Sequence, residues 1–188
     1  MEAFLVSTFV VAVGEIGDKT QLLSLVLAAR FQRPLSIALG ILMATLANHT
    51  LAGLAGEWIR VTLSPDLLRW ALGLSFIAVA IWALIPDKLD KEPGTVGRFG
   101  VFFITLATFF LAEMGDKTQV ATVMLAAKFN ALAAVVAGTT LGMLIADLPV
   151  VYLGKAAAPR IPFRLVRGVA ALIFAALGLA TLLGLNIF

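Results

Sequence analysis

The stretch EIGDKTQ, residues 15–21, places two acidic residues and a lysine inside a long apolar segment, and it returns as EMGDKTQ at residues 113–119. At this offset of 98 residues, 15–31 aligns without a gap with 113–129, and ten of the 17 positions are identical. The same offset continues weakly beyond the motif, for example from Arg69 to Arg167. The chain therefore consists of two related halves that carry the same charged motif.

The composition places both halves in a membrane. Apolar residues make up 61% of the 188 residues and charged residues only 13%, with a mean hydropathy of +1.04. Soluble domains carry about 25% charged residues, so this chain lacks the residues to cover a water-facing surface. The sequence therefore predicts an all-α polytopic membrane protein. The net charge of +3 reflects a local excess of basic residues and does not indicate nucleic-acid binding.

Six segments have the roughly 20 mostly apolar residues that a membrane-spanning helix needs. They are Ala3–Ala29, Leu35–Gly56, Leu67–Ile85, Phe99–Ala127, Ala131–Leu153 and Leu165–Leu185. The first and fourth segments, of about 27 and 29 residues, are longer than a bilayer requires. We expect them to tilt, kink or break, and the motif glycines Gly17 and Gly115 are the expected places.

Three helices in each half give the predicted fold its symmetry. Because three is an odd number, the second half must enter the membrane from the side opposite to the first. The sequence therefore predicts two inverted-topology three-helix repeats, residues 1–85 and 99–188, joined by a linker at residues 86–98. Inverted repeats are common among secondary transporters, whose substrate sites lie near the bilayer midplane.

Basic residues are unevenly distributed between the connections. The connections on the side of the 86–98 linker hold nine lysines and arginines, and those on the other side hold three. Because cytoplasmic loops are enriched in lysine and arginine, the linker is predicted to be cytoplasmic and both termini periplasmic. The start, Met1-Glu2-Ala3, lacks the positive region of a signal peptide, so we expect it to belong to the mature protein.

The motif charges indicate a cation site. A charge at the bilayer centre costs at least ~2.5–3.5 kcal/mol. Six ionisable residues nevertheless lie there, three in each motif and in the same arrangement. Residues three and four apart share a helical face, so we expect the Glu, Asp and Lys of one motif to project together. Four carboxylates and two ammonium groups carry a formal charge of −2, which suits one divalent ion such as Mn²⁺ or Ca²⁺ with its preference for oxygen donors. The predicted metal ligands are Glu15, Asp18, Gln21, Glu113, Asp116 and Gln119.

Other polar residues in the spans are predicted to surround the ligands or to transfer protons. These are Lys19, Thr20, His49, Lys117, Thr118 and Asp147. His49 and Asp147 occupy the same repeat position, and placement near the membrane interface is the alternative reading for both. The absence of cysteine and the single histidine argue against a zinc or copper site. For the charged cluster as a whole, the alternative is a set of salt bridges that only hold the bundle together, although buried pairs often fail to repay their desolvation.

The two motifs resemble the paired Glu-x-Gly-Asp-Lys/Arg-Ser/Thr signatures of the GDT-type cation transporters. The resemblance covers both motifs, the six predicted helices and the charged linker, which is essentially the whole chain. It implies export of Mn²⁺ or exchange of Ca²⁺ driven by protons, with the four motif carboxylates as the core of the metal site and the two glutamines as helpers. Without the extra N-terminal sequence and long acidic loop of eukaryotic members, the chain resembles the exporters of the bacterial inner membrane.

The predicted function is secondary transport, namely export of Mn²⁺, or else Ca²⁺, by proton antiport through the carboxylate site. No enzymatic activity and no cofactor are expected. The expected partners are the ion, protons and the lipid bilayer, and a homo-oligomer is left open. One alternative is a cationic amino-acid exporter, which would need an apolar side-chain pocket. Another is an intramembrane metal-dependent lipid-phosphate hydrolase. The sequence disfavours it, because no arginine lies at the depth of the motifs to hold a phosphate.

Overall fold

The computed structural model of the chain describes residues 1–86, 100–153 and 163–185, which form helices and no strands. The described helices are α1 (Glu2–Glu15), α2 (Lys19–Phe31), α3 (Pro34–Thr62), α4 (Pro65–Ala83), α5 (Gly100–Glu113), α6 (Lys117–Phe129), α7 (Leu132–Leu153) and α8 (Phe163–Leu182). The predicted all-α class is confirmed. The linker at 86–98 lies, apart from Pro86, outside the described residues.

Four of these helices are long and apolar enough to cross a membrane. They are α3, α4, α7 and the part of α8 from Arg164 to Leu182. The other two predicted spans are each divided into two helices of 13 or 14 residues, which is about 20 Å each. Since a bilayer core is about 30 Å thick, a single half-helix of this length is too short to cross it.

Both divisions fall at the motif glycines. Gly17 lies between α1 and α2 with φ of 86°, and Gly115 lies between α5 and α6 with φ of 74°. Glycine adopts positive φ at little steric cost because it has no Cβ, whereas other residues pay for it. The prediction that the first and fourth segments deviate at these glycines is therefore confirmed, and the deviation is a break.

The helix ends repeat as well. α2 is followed by Gln32 in the left-handed conformation with φ of 52°, and α6 is followed by Asn130, the counterpart of Gln32 at an offset of 98 residues, with φ of 48°. Pro34 and Pro65 begin α3 and α4, where a missing backbone N–H costs nothing. The likeness of the two halves thus extends from the sequence to the backbone.

Small residues bring the helices of the two halves together. On α7, a Cβ added at Gly142 would lie 2.6 Å from the carbonyl oxygen of Thr8 on α1. On α3, a Cβ added at Gly40 would lie 2.9 Å from the carbonyl oxygen of Phe102 on α5, which is the repeat counterpart of the approach between Gly138 and Phe4. Helix association in lipid depends on such close backbone approach, because lipid tails provide no hydrophobic drive for association. These contacts hold α1 and α5 against the helices of the opposite half.

Two clusters of buried apolar residues form the core of the bundle. One is built around Phe76 of α4 and Phe174 of α8, whose stacked rings have centroids 6.5 Å apart. The other contains Ile41 of α3, Phe109 of α5 and Met143 of α7, all fully buried. Large apolar side chains are also exposed on the outer faces of the bundle, as expected where a protein surface faces lipid.

Candidate metal site

The two helix breaks carry the motif carboxylates into the interior. Glu15 is the last residue of α1 and Glu113 the last residue of α5, and both are completely buried. Asp18 and Asp116 precede the first residues of α2 and α6, and both are also buried. Each aspartate therefore lies at the N-terminus of a half-helix, where the helix dipole carries partial positive charge.

Three of the carboxylates converge. Glu15, Glu113 and Asp116 each offer one oxygen, and these three oxygens lie within 4.8 Å of one another. Within the described part of the chain, Oε1 of Glu15 and Oε1 of Glu113 have no hydrogen-bond partner. Buried polar atoms without a partner are rare in folded proteins, and these two oxygens are free to bind a cation. The arrangement provides oxygen donors from both halves for one cation.

The second oxygen of each glutamate is held by a hydroxyl from its own motif. Thr20 Oγ1 donates to Glu15 Oε2 at 2.6 Å. Thr118 Oγ1 lies at 3.4 Å from both Glu113 Oε2 and Asp116 Oδ2, so its contacts are longer. The two threonines therefore lie beside the predicted ligands, and their role around a bound ion stays a prediction.

The motif glutamines hold the breaks together. Gln21 Oε1 accepts a hydrogen bond from the Gly17 N–H at 2.9 Å, and Gln119 Oε1 accepts one from the Gly115 N–H at 2.6 Å. Each amide oxygen therefore satisfies a backbone donor that the interrupted helix leaves without a partner. The sequence predicted instead that these glutamine oxygens bind the ion. Binding of the ion by Gln21 and Gln119 stays a prediction.

The lysines form crossed ion pairs between the two motifs. Lys117 Nζ lies 2.7 Å from Asp18 Oδ1, and Lys19 Nζ lies 2.9 Å from Asp116 Oδ1. The expectation that the Glu, Asp and Lys of one motif share a helical face is wrong, because the helix is broken between Glu15 and Lys19. With each lysine beside an aspartate, the formal charge of −2 resides on the two glutamates. Their charge is equal and opposite to that of one divalent ion.

Asp147 and His49 lie on equivalent positions of α7 and α3 but have different neighbours. Ser24 Oγ on α2 donates to Asp147 Oδ1 at 2.8 Å. His49 is fully buried, and neither of its ring nitrogens has a hydrogen-bond partner among the described residues. Thr122, the counterpart of Ser24, donates instead to the carbonyl oxygen of Thr118 on its own helix. Equivalent positions have thus acquired different polar surroundings.

Ser24 was not among the predicted site residues. Its signal in the sequence is modest: a hydroxyl residue recurs at the same repeat position as Ser24 and Thr122, three residues after the motif glutamine. That spacing places Ser24 on the same face of α2 as Gln21. Gln21 Nε2 donates to the carbonyl oxygen of Ala146 at 3.1 Å, next to the Ser24–Asp147 contact. The polar face of α2 is therefore anchored to α7 at two adjacent points.

A helical membrane bundle with buried carboxylates at the breaks of two helices has the features of an ion transporter, since intramembrane charges mark ion pathways and broken helices form substrate sites. Within that class, the chain belongs to the family described as "Divalent cation/proton antiporter GDT1", whose sequence profile matches residues 3–91 and 101–186. The resemblance to GDT-type transporters is confirmed. The family is one of transporters, and its substrates are a divalent cation and protons.

Relatives from bacteria and plants align over nearly the whole chain. A Vibrio cholerae protein named "Putative manganese exporter" is 50% identical over 182 residues, which cover 96% of this chain and 90% of that protein. A GDT1-like protein of Synechocystis is 30% identical over 195 residues, covering 93% of each chain. GDT1-like protein 5 of Arabidopsis thaliana is 26% identical over 226 residues, covering 97% of this chain and 96% of its own. No solved structure matches the chain.

Proposed function

We propose that this protein exports Mn²⁺ in exchange for protons, and that Ca²⁺ is its second substrate. The observation that carries the proposal is the convergence of Glu15, Glu113 and Asp116, with two buried glutamate oxygens lacking a partner in the described structure. Oxygen donors suit both ions. The name of the Vibrio cholerae relative favours Mn²⁺ over Ca²⁺.

The ion is bound, in this proposal, by the glutamates and aspartates of the two motifs. Gln21 and Gln119 hold the breaks and complete the ligand set when the ion arrives. The lysines and threonines of the motifs surround these ligands, and His49 and Asp147 are the proposed sites of proton transfer beside them. Support for this assignment comes from the burial of all four carboxylates and from the contacts that connect them across the two halves.

Coupling to protons follows from the charge of the site. When the ion leaves, two glutamates with oxygens less than 5 Å apart face each other in a medium of low dielectric constant. Like charges so placed cannot both stay ionised at low cost, so proton uptake replaces the ion. Binding of one divalent cation or of two protons would each neutralise the pair, which makes the exchange of one for two electrically balanced.

We further propose that the two halves are inverted repeats of three spans each, 1–85 and 99–188, in the bacterial inner membrane. The equivalent breaks at Gly17 and Gly115 and the matching contacts of α1 with α7 and α5 with α3 support the repeat. The excess of basic residues on one side supports a cytoplasmic linker and periplasmic termini. Alternating access would then use bending at the two breaks, with the ion entering from the cytoplasm.

The test is metal-driven proton movement in proteoliposomes that contain the purified protein and a pH-sensitive dye. An inward gradient of Mn²⁺ is expected to drive protons out of the vesicles, and Ca²⁺ to do so less strongly. Empty liposomes and the surface variant Arg69→Gln serve as controls, because Arg69 pairs with Asp66 far from the motifs in sequence. Proton movement driven by arginine or lysine but by neither metal would instead support the amino-acid exporter, and no flux with any of them would refute the proposal.

A further inference from the structure

The two crossed ion pairs are not equivalent, although the motifs that form them are nearly identical. The Lys117 side chain is only 6% exposed where it pairs with Asp18, whereas the Lys19 side chain is 22% exposed where it pairs with Asp116. Gly115 and Met114, beside Asp116 in sequence, are exposed as well. The pair made by Lys19 therefore lies toward an accessible edge of the site, and the pair made by Lys117 lies in its interior.

The convergent carboxylates show the same inequality. Asp116 contributes an oxygen to the group formed with Glu15 and Glu113, and Asp18 does not belong to that group. The aspartate that stands ready for an ion is thus the one held by the more exposed lysine. An ion bound by all three carboxylates must share Asp116 with the ammonium group 2.9 Å away, or replace it there.

We propose that Lys19 and the transported divalent cation compete for Asp116, so that Lys19 acts as an internal cation that keeps the site occupied until the ion displaces it. The inference rests on the proposed function and adds a positioning residue to it. Two cations beside one carboxylate repel each other in a low dielectric, which makes simultaneous occupation unfavourable. The Lys19 side chain is partly exposed, and its flexible four-carbon stem allows the ammonium group to move.

Competition has a consequence that a purely structural ion pair lacks. If Lys19 only braced the bundle, its removal would loosen the site and weaken binding of the metal. If Lys19 competes, removing its charge strengthens binding. A charge within ~4–6 Å shifts the affinity of a carboxylate for a proton by ~10- to 1,000-fold, and a divalent ion should respond in the same direction. For Lys19→Gln we therefore expect the Kd for Mn²⁺ to fall by at least about tenfold.

The experiment is calorimetric titration of Mn²⁺, and separately of Ca²⁺, into purified protein in detergent at a fixed pH. Lys19→Gln is compared with the wild-type protein and with Arg69→Gln, which removes one positive charge from an exposed pair with Asp66 and is expected to leave the Kd unchanged. A folded, monodisperse Lys19→Gln protein with an equal or higher Kd would overturn the competition and leave the proposed function standing.

A second variant covers the case in which Lys19→Gln does not fold. Lys19→Arg keeps the charge, and its planar guanidinium can hold the Asp116 carboxylate with two hydrogen bonds. A stronger competitor should raise the Kd for Mn²⁺ severalfold, and an unchanged or lower Kd would contradict the inference. If the wild-type protein binds neither metal, the proposed function and the inference both fail. If it binds metal and only the Lys19 variants behave otherwise than expected, the inference alone fails.

Discussion

The two motif copies, residues 15–21 and 113–119, differ at a single position, where Ile16 stands opposite Met114, and yet they lie in different surroundings. Gln21 is buried and its amide donates to α7 at 3.1 Å. Gln119 is half-buried, and its amide reaches Asn48 on α3 only at 3.5 Å. The first motif is therefore anchored more tightly to the opposite half than the second motif is.

The difference between the copies originates in the helices that face them. Asp147 on α7 accepts a hydrogen bond from Ser24, whereas the ring nitrogens of His49, at the equivalent position on α3, have no hydrogen-bond partner among the described residues. The two copies of the motif thus carry the same charges, whereas the residues that face them differ. The comparison can be tested by changing one copy at a time.

The largest effect is expected where the two copies contribute equally. Glu15→Gln and Glu113→Gln each remove one of the two glutamate charges that the ion balances while preserving side-chain size. Loss of an outer partner of a metal ligand already costs 10- to 100-fold, so loss of a ligand should reduce metal transport by more than about 100-fold. In a strain lacking the gene, which should accumulate manganese and become sensitive to it, neither variant should restore tolerance. Normal manganese content and tolerance in that strain would contradict the proposed substrate.

A smaller, unequal effect is expected from the aspartates. Asp116→Asn alters a member of the convergent group, whereas Asp18→Asn alters a carboxylate outside it. We expect Asp116→Asn to weaken Mn²⁺ binding about tenfold more than Asp18→Asn, since a coordinating charge next to a cation is worth more than a distant one. Titration calorimetry gives both constants. Equal losses would show that the four carboxylates act as a symmetrical set.

The hydroxyls at Ser24 and Thr122 should differ in their effect on stability. Ser24→Ala leaves Asp147 Oδ1 buried without its donor, which costs about 1–3 kcal/mol. Thr122 donates to the backbone of its own helix, so Thr122→Ala should cost less, about 1 kcal/mol. Thermal unfolding in detergent at constant pH measures the difference. A Thr122→Ala protein that unfolds at a lower temperature than the Ser24→Ala protein would contradict the expectation that the Ser24 hydroxyl contributes more to stability.

The smallest effect is expected from making the motifs identical. Met114→Ile converts the second copy to the sequence of the first, and the Met114 side chain is exposed. Surface substitutions usually change stability by less than about 0.5 kcal/mol, so stability and the Kd for Mn²⁺ should both stay unchanged. The same stability and titration measurements apply here. A marked change in metal affinity would locate the asymmetry in the motif itself, and not in the helices that face it.

The sequence by itself determined the membrane class, the all-helical fold, the duplication and the positions of the two breaks. These features are local: apolar runs specify helices in lipid, and a glycine between charged residues is the position at which a helix can most readily be interrupted. The two seven-residue motifs also indicated the family. The same reasoning misjudged the arrangement inside each motif, since it placed Glu15 and Lys19 on one helical face although they lie on either side of the break.

Only the tertiary structure decided which charged groups meet. Lys117 pairs with Asp18, and Asp116, unlike Asp18, joins the group formed with the two glutamates. These contacts depend on how helices about 100 residues apart in sequence pack. The use of the glutamine oxygens by Gly17 and Gly115 likewise became visible only with the breaks in three dimensions. The physical reason is that sequence spacing fixes neighbours within one helix, whereas contacts across the bundle depend on the small residues that set helix separation and orientation.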